Sequence, residues 1–457
     1  MTKRLDLPPS SDCSSNSRLN QPLSLRPLAV AFAGMAALAV AMGIGRFAFT
    51  PLLPMMLRDG VVSLAGGSWL ATANYIGYLL GALGCMALPW VSPRLRRVWH
   101  PARLTRWGLA ATVLLTAGMA LPWAGGWPTM RLIAGAASAV VFLNVSVWCM
   151  VRLQSLGVPA LGGLIFCGPG LGIVATGLAA SAMVAGGWSA AAGWAAFSLL
   201  AVALCAAAWR VLQGPAELAP TAGTPHAAQT SQTAHGAGGL PPAPAAPPAS
   251  PPGGPAARAL LTLAYGLAGL GYIVTATFLP VIARGALPAG SAWPDLFWPV
   301  FGAGVALGAA LSTRTPGAWD RRWLLAAAYG VQATAIALTL LWPGAAGFAL
   351  GSLLLGLPFT AITFYALQEA RRVWPAAGDS FAGLLTAAYG VGQIAGPPMV
   401  AWMLHHSDSE GQGFALGLAA AAGALAVGAA LLAAMAVRWP LQEPGTIRKA
   451  PQTTQDG

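Results

Sequence analysis

The stretch GIGRFAFTPLLPMMLRDG (43–60) returns 226 residues later as GLGYIVTATFLP and the VIAR that follows it (269–284). At that offset Gly45, Leu53, Pro54 and Arg58 meet Gly271, Leu279, Pro280 and Arg284. Glycine coincidences are common in a chain with 57 glycines, but a shared Leu-Pro-x-x-x-Arg inside an apolar run is not. Neighbouring offsets pair Gly77, Gly81 and Ala82 with Gly304, Gly308 and Ala309, and Gly170, Gly172 and Ala175 with Gly390, Gly392 and Ala395. The chain therefore reads as two copies of one unit.

Each unit holds six apolar runs. A helix rises 1.5 Å per residue, so about 20 apolar residues cross a hydrocarbon core of about 30 Å. Lipid offers backbone N–H and C=O groups no partners, which forces such runs into helices. Spans are expected at about 28–57, 68–90, 107–124, 129–151, 161–185 and 188–210, then 258–283, 294–313, 323–342, 345–370, 380–404 and 412–437. The first is overlong and carries Pro51 and Pro54, which predict a kink. The expected fold is an all-α membrane protein of twelve transmembrane helices in two parallel six-helix halves, 26–210 and 258–439. Between them 211–257, with PPAPAAPPASPPGGP at 241–255, cannot bury a core and is expected to be a disordered linker. Disordered tails are expected at 1–25 and 440–457.

Only 8% of the residues are charged and 56% are hydrophobic. An ordinary soluble domain carries roughly 25% charge, so the surface this chain expects is the lipid bilayer. A net charge of +12 would suggest nucleic acid in a soluble protein. The placement of the charges gives another reason. With the N-terminus inside, the cytoplasmic segments hold 20 of the 24 Lys and Arg residues, among them Arg94, Arg96, Arg97, Arg103, Arg106, Arg314, Arg321 and Arg322. The opposite side holds Arg58, Arg131 and Arg284, and Arg46 lies within a span. This is the positive-inside pattern; it places both termini in the cytoplasm, here of a bacterial inner membrane, and no nucleic-acid partner is expected. Trp90, Trp127, Trp188 and Trp342 fall at span ends, as interfacial tryptophans do. The five cysteines form no C-x-x-C and read as small buried hydrophobes. There is no P-loop and no assembled nucleophile–base set, so neither ATP, a cofactor nor an enzymatic activity is expected. His405-His406 with Asp408 and Glu410 is the one weak metal-binding pattern, and no metal is expected there.

Twelve helices in a parallel 6+6 repeat with a long central loop resemble the major facilitator superfamily. WLATANYIGYLLGALG (69–84), LQEARR (367–372) and LTAAYGVGQIAGP (385–397), with the two stretches quoted first, are similar to its YbfB/YjiJ-type subgroup. The resemblance implies a monomeric secondary transporter that moves a small-molecule substrate by rocking two halves around a central site. It places helices 1, 4, 7 and 10 on the cavity. Proton-coupled efflux is the expected direction and coupling. Uptake symport or uniport, a non-transporting sensor or assembly factor and, third, a membrane enzyme are the alternatives. Arg131 with Gly135 is similar to the superfamily's R-x-x-x-G element, and Gly168-Pro169-Gly170-Leu171-Gly172 to the Gly-Pro signature of antiporters. The loop SPRLRRVWH (92–100) is basic as in the superfamily but lacks its acid.

Arg46 is the leading candidate site residue. An arginine inside a span costs at least about 2.5–3.5 kcal/mol unless it faces water or a partner. It lines the cavity, or it bonds backbone carbonyls near the Pro51 kink. Arg131, Asn144, Tyr272 and Tyr365 are the further substrate-binding candidates. Glu369 is the one acid approaching a helix interior, beside Arg371 and Arg372. It reads as an interface ion pair and, alternatively, as the proton-coupling group. Asn74 and Gln393 are expected in gate packing, and Gly77, Gly81, Gly170, Gly172, Gly390 and Gly392 in close helix contact. An arginine without a neighbouring acid repels cations, which favours an anionic or neutral substrate. A transporter should show a water-filled cavity with Arg46 on its wall; a sensor should have a sealed interior.

Overall fold

The computed structural model describes residues 27–91, 100–213, 253–316, 319–374 and 378–440. The expected tails, nearly all of the linker and the basic segment 92–99 lie outside the described residues. The described chain forms twelve long helices: α1 (Pro27–Arg58), α2 (Leu64–Val91), α3 (Pro101–Gly118), α4 (Trp127–Ser155), α5 (Pro159–Ala185), α6 (Ala190–Trp209), α7 (Gly254–Ala286), α8 (Trp293–Ser312), α9 (Arg321–Leu341), α10 (Ala345–Arg372), α11 (Gly378–His405) and α12 (Glu410–Arg438). Ten are long and apolar enough to cross a membrane by length and composition. The other two are α3, which carries Arg103 and Arg106, and α11, which is rich in glycine and holds Gln393, Pro397 and Pro398.

Boundaries follow local chemistry. Helix α3 begins at Pro101, six residues before the expected 107, because proline suits the first helical turn, where its missing N–H has no partner to lose. Arg103 and Arg106 therefore stand on the helix and not in a loop. Helix α7 begins at Gly254, four residues before the expected 258. Ser189, Asp320 and Ser409 cap α6, α9 and α12 by accepting backbone N–H groups. The expected kink of α1 is a longer interruption. Ala39–Ile44 is a π-helical turn, residues 45–48 form turns, and the α-helix resumes at Phe49. The N–H groups of Gly45 and Phe47 reach back five residues, to the carbonyls of Val40 and Met42. The wider turn lies just before Pro51 and Pro54, whose rings cannot continue the bonding ladder.

The two halves repeat one packing scheme. In the first half α2 and α3 pack on α4; in the second α8 and α9 pack on α10. Glycines set the seams. A Cβ on Gly77 would sit 1.8 Å from the Leu132 carbonyl, and one on its repeat mate Gly304 would sit 2.5 Å from that of Leu353. Between halves, α5 packs along α8 and α2 along α11, two seams that the repeat exchanges, and α1 meets α7 between them. The helix ends divide into an arginine-rich face, where α1 and α7 begin, and an arginine-poor face, where they end at Arg58 and Ala286.

Candidate functional site

The interruption of α1 builds the site. Its loosened turn presents the carbonyls of Gly45 and Arg46 sideways, and Arg131 of α4 takes both, Nη1 to Gly45 and Nη2 to Arg46, each at 3.2 Å. Asn74 of α2 donates to the Arg131 carbonyl at 2.9 Å and to that of Gly45 at 3.5 Å. Arg131 and Asn74 thus clamp the backbone that carries Arg46. The Arg131 guanidinium also lies over the Phe49 ring.

The Arg46 side chain leaves this clamp and crosses to the other half. Its Nη2 donates to Gln393 Oε1 of α11 at 2.5 Å, and the Gln393 amide donates to the Tyr272 hydroxyl of α7. Tyr272 stands at the repeat position of Arg46, 226 residues on. One glutamine therefore bridges two residues that occupy the same place in the two halves. The guanidinium lies 4.1 Å from the Tyr78 ring centroid, 5.2 Å from Tyr75 and 5.4 Å from Phe47. Its Nε has no partner among the described residues. Arg46 and Gln393 sit 12 residues, and Tyr272 14 residues, from the arginine-poor end of their helices, about 18–21 Å at 1.5 Å per residue, which is near the middle of each helix.

Aromatic rings continue the wall. Tyr272 stacks on Tyr389 at 5.8 Å and meets Phe359 edge-on at 4.9 Å; Tyr389 stacks on Tyr265 at 4.7 Å. Five of the chain's seven tyrosines, Tyr75, Tyr78, Tyr265, Tyr272 and Tyr389, gather here. The buried charged side chains among the described residues are Arg46, Arg131, Arg322 and Glu369. Glu369 lies ten residues beyond Phe359 along α10, toward the arginine-rich face. The tyrosine-walled arginine thus has no acid beside it.

The other sequence candidates are distributed differently. Tyr272 and Arg46 come together, with Gln393 bridging them. Asn144 stands 13 residues beyond Arg131 on α4 and donates to the carbonyl of Val140 on its own helix and, weakly, to Cys85. Tyr365 pairs its hydroxyl with Thr315 at 2.6 Å near the arginine-rich face. Glu369 pairs with Arg372 at 2.6 Å and, at 3.7 Å, with Arg322 of α9, while Arg371 is exposed. Gly170 faces α8 and Gly172 the π turn of α1; Gly392 faces α7 in the equivalent seam, Gly390 faces Leu79, and Gly81 the carbonyl of Ala136. Among the described residues no open cavity surrounds Arg46, in contrast to the expectation. Arg46 is 3% exposed, and the two best-formed pockets lie elsewhere, one along α1, α5 and α6 and one along α2 and α4. Gln393 and the tyrosines fill the space. Tyr78 and Phe359 are not among the candidates; the spacing of Tyr75 and Tyr78, three residues apart on one helix face, is the signal that marks Tyr78.

No curated protein matches the sequence. The fold is similar to that of a crystallised point mutant of the nucleoside transporter NupG, with a TM-score of 0.63 and 14% identity over 89% of this chain and 99% of that one. The crystal structure of NupG without that mutation gives 0.59 and 15% identity over 90% and 98%. Residues 38–240 and again 237–433 match the family described as uncharacterised MFS-type transporter YbfB. The two matched stretches together span both halves, and the chain belongs to this family of multi-pass major facilitator transporters.

Proposed function

We propose that the protein is a secondary active transporter that carries a small organic anion across the bacterial inner membrane, with Arg46 as the substrate-binding cation. The observation that supports this most is the state of Arg46: buried at mid-depth, ringed by tyrosines, bonded to a neutral amide and free at Nε. A guanidinium held that way gains more from a carboxylate than from glutamine, because charge-assisted hydrogen bonds are roughly twice as strong as neutral ones. Tyr272 and Gln393 complete the site from the other half. Arg131 and Asn74 act as positioning residues through the α1 backbone.

The arginine-rich face is placed in the cytoplasm by the positive-inside rule. Closure around Arg46 is then the occluded step of an alternating cycle, with α5 sliding on α8 and α2 on α11. Export is the proposed direction. An inside-negative potential drives each anionic charge outward by about 2.3 kcal/mol per 100 mV, and within the Gly168–Gly172 run Gly170 lies on the sliding α5–α8 seam while Gly168 and Gly172 pack on α1. Proton antiport is the proposed coupling, and Glu369 is the titratable candidate because it is the one buried carboxylate among the described residues. Its two arginine partners must release it for that role. A sealed interior also suits a sensor. Proteoliposome flux decides between the two: a panel of organic anions and neutral solutes, measured with and without a pH gradient and a potential, should show anion efflux. A protein that moves none of them while binding one would be a sensor.

A further inference from the structure

The unpartnered Nε and the amide-bonded Nη2 of Arg46 form one edge of the guanidinium, the edge on which a carboxylate docks with two parallel bonds. A carboxylate there replaces Gln393 Oε1. Whatever the carboxylate carries then enters the place that Gln393 now fills. That place is bounded by Tyr272, whose hydroxyl Gln393 touches, and by Tyr389 and Phe359, which pack on Tyr272 with centroids 5.8 Å and 4.9 Å away. Flat walls of this kind favour a flat occupant, since aromatic pairs gain from stacked and edge-on geometry beyond the area they bury. Charge sets a second limit. The nearby Arg131 guanidinium is already bonded to two backbone carbonyls. A second anionic group on the ligand would be left among rings with no cation to meet it.

We propose that the substrate class is a planar aromatic monocarboxylate, bound with its carboxylate on the Nε–Nη2 edge of Arg46 and its ring among Tyr272, Tyr389 and Phe359. This rests on the reading of Arg46 as the substrate cation and narrows it. Binding also removes the Arg46–Gln393 bond, which ties α1 to α11 across the two halves. The ligand would thereby loosen the closed state that it enters.

The test uses the purified full chain and ligand titration by calorimetry and thermal shift with five probes: benzoate, cyclohexanecarboxylate, benzamide, phthalate and uridine. Benzoate should bind about tenfold tighter than cyclohexanecarboxylate, its non-planar counterpart, and about tenfold tighter than benzamide, its neutral one, each tenfold step being the size of one good interaction. Phthalate and uridine should bind more weakly than benzoate. In Tyr272→Leu the advantage over cyclohexanecarboxylate should fall while the advantage over benzamide stays. Equal binding of benzoate and cyclohexanecarboxylate would overturn the aromatic class and leave Arg46 as an anion site. Phthalate binding as tightly as benzoate would overturn the monoanion limit. Benzamide or uridine binding as well as benzoate would overturn both this inference and the anion reading beneath it.

Discussion

Thr50 of α1 donates its hydroxyl to the carbonyl of Ala276 at 2.6 Å, and Ala276 is the residue that holds the place of Thr50 in the second repeat. A residue touching its own repeat mate lies on the axis relating the halves, so α1 and α7 cross there. At the same level Tyr75 meets Thr277 at 2.9 Å, and one turn deeper Arg46 meets Gln393. These are cross-half polar ties on the arginine-poor side of mid-depth, and they mark the closed gate. Thr50→Val keeps the shape and removes one tie worth about 0.5–1.5 kcal/mol. Spin labels at the exposed positions Val61 and Ala289 should report a larger population with the two helix ends apart, by about two- to tenfold. An unchanged distance distribution would remove Thr50 from the gate.

Arg131 should behave as part of the scaffold. Arg131→Met takes the side-chain donor from the Arg46 carbonyl and leaves the Gly45 carbonyl only the 3.5 Å bond from Asn74, at about 1–3 kcal/mol for a buried group left unsatisfied. The thermal midpoint should fall by several degrees, and ligand affinity should fall only as far as the Arg46 backbone moves. Affinity lost as completely as in an Arg46 variant, with an unchanged midpoint, would make Arg131 a binding residue.

The two inter-half seams are not equally tight. A Cβ on Gly170 would lie 2.4 Å from the backbone N of Ala306, whereas one on the equivalent Gly390 would meet only the Leu79 side chain, at 3.0 Å. A side chain gives way more easily than backbone. Gly170→Ala should therefore abolish or strongly slow transport or lower stability, and Gly390→Ala should be close to neutral. The reverse ranking in flux and melting assays would contradict the packing described.

At the arginine-rich face Arg322 joins three helices. It pairs with Asp320 at 2.7 Å and Glu369 at 3.7 Å, and donates to the carbonyls of Met435 and Trp439 at the end of α12. Burial alone would raise the Asp320 carboxyl, but hydrogen bonds from Arg322 and the charges of Arg322 and Arg372 hold it below the usual carboxylate range. A depressed carboxylate contributes stability above its unfolded value, about 3.9, and loses it as pH falls through the lower folded value. Detergent-solubilised protein should lose this contribution below about pH 4, and Asp320→Asn should be less stable at neutral pH with a flatter acid limb. Glu369→Gln should leave anion binding intact; if it also removes the response of flux to a pH gradient, Glu369 is the coupling group.

Much of this was legible in the sequence. Leu53-Pro54 and Leu279-Pro280 fixed the repeat because proline and arginine are rare inside apolar runs, and Arg46 drew attention because a charge in lipid is costly. The partners were harder to see. Gln393 lies 347 residues from Arg46 and Arg322 lies 47 before Glu369, and one sequence carries no record of which helices meet. Asn144 and Tyr365 sat on helices expected to line the cavity, but depth and helix face place them away from Arg46. The π turn was hidden because Pro51 and Pro54 announce a distortion without saying how far back it reaches.

Counterflow of the transported anion in proteoliposomes, compared between the native chain, Arg46→Lys and Arg46→Gln at matched insertion and melting temperature, tests the site most directly. Arg46→Gln should reduce counterflow by about 100-fold, the equivalent of about 2.7 kcal/mol of lost charge-assisted bonding, with Arg46→Lys in between. Counterflow at the native rate in Arg46→Gln would show that the buried arginine only holds the helices together.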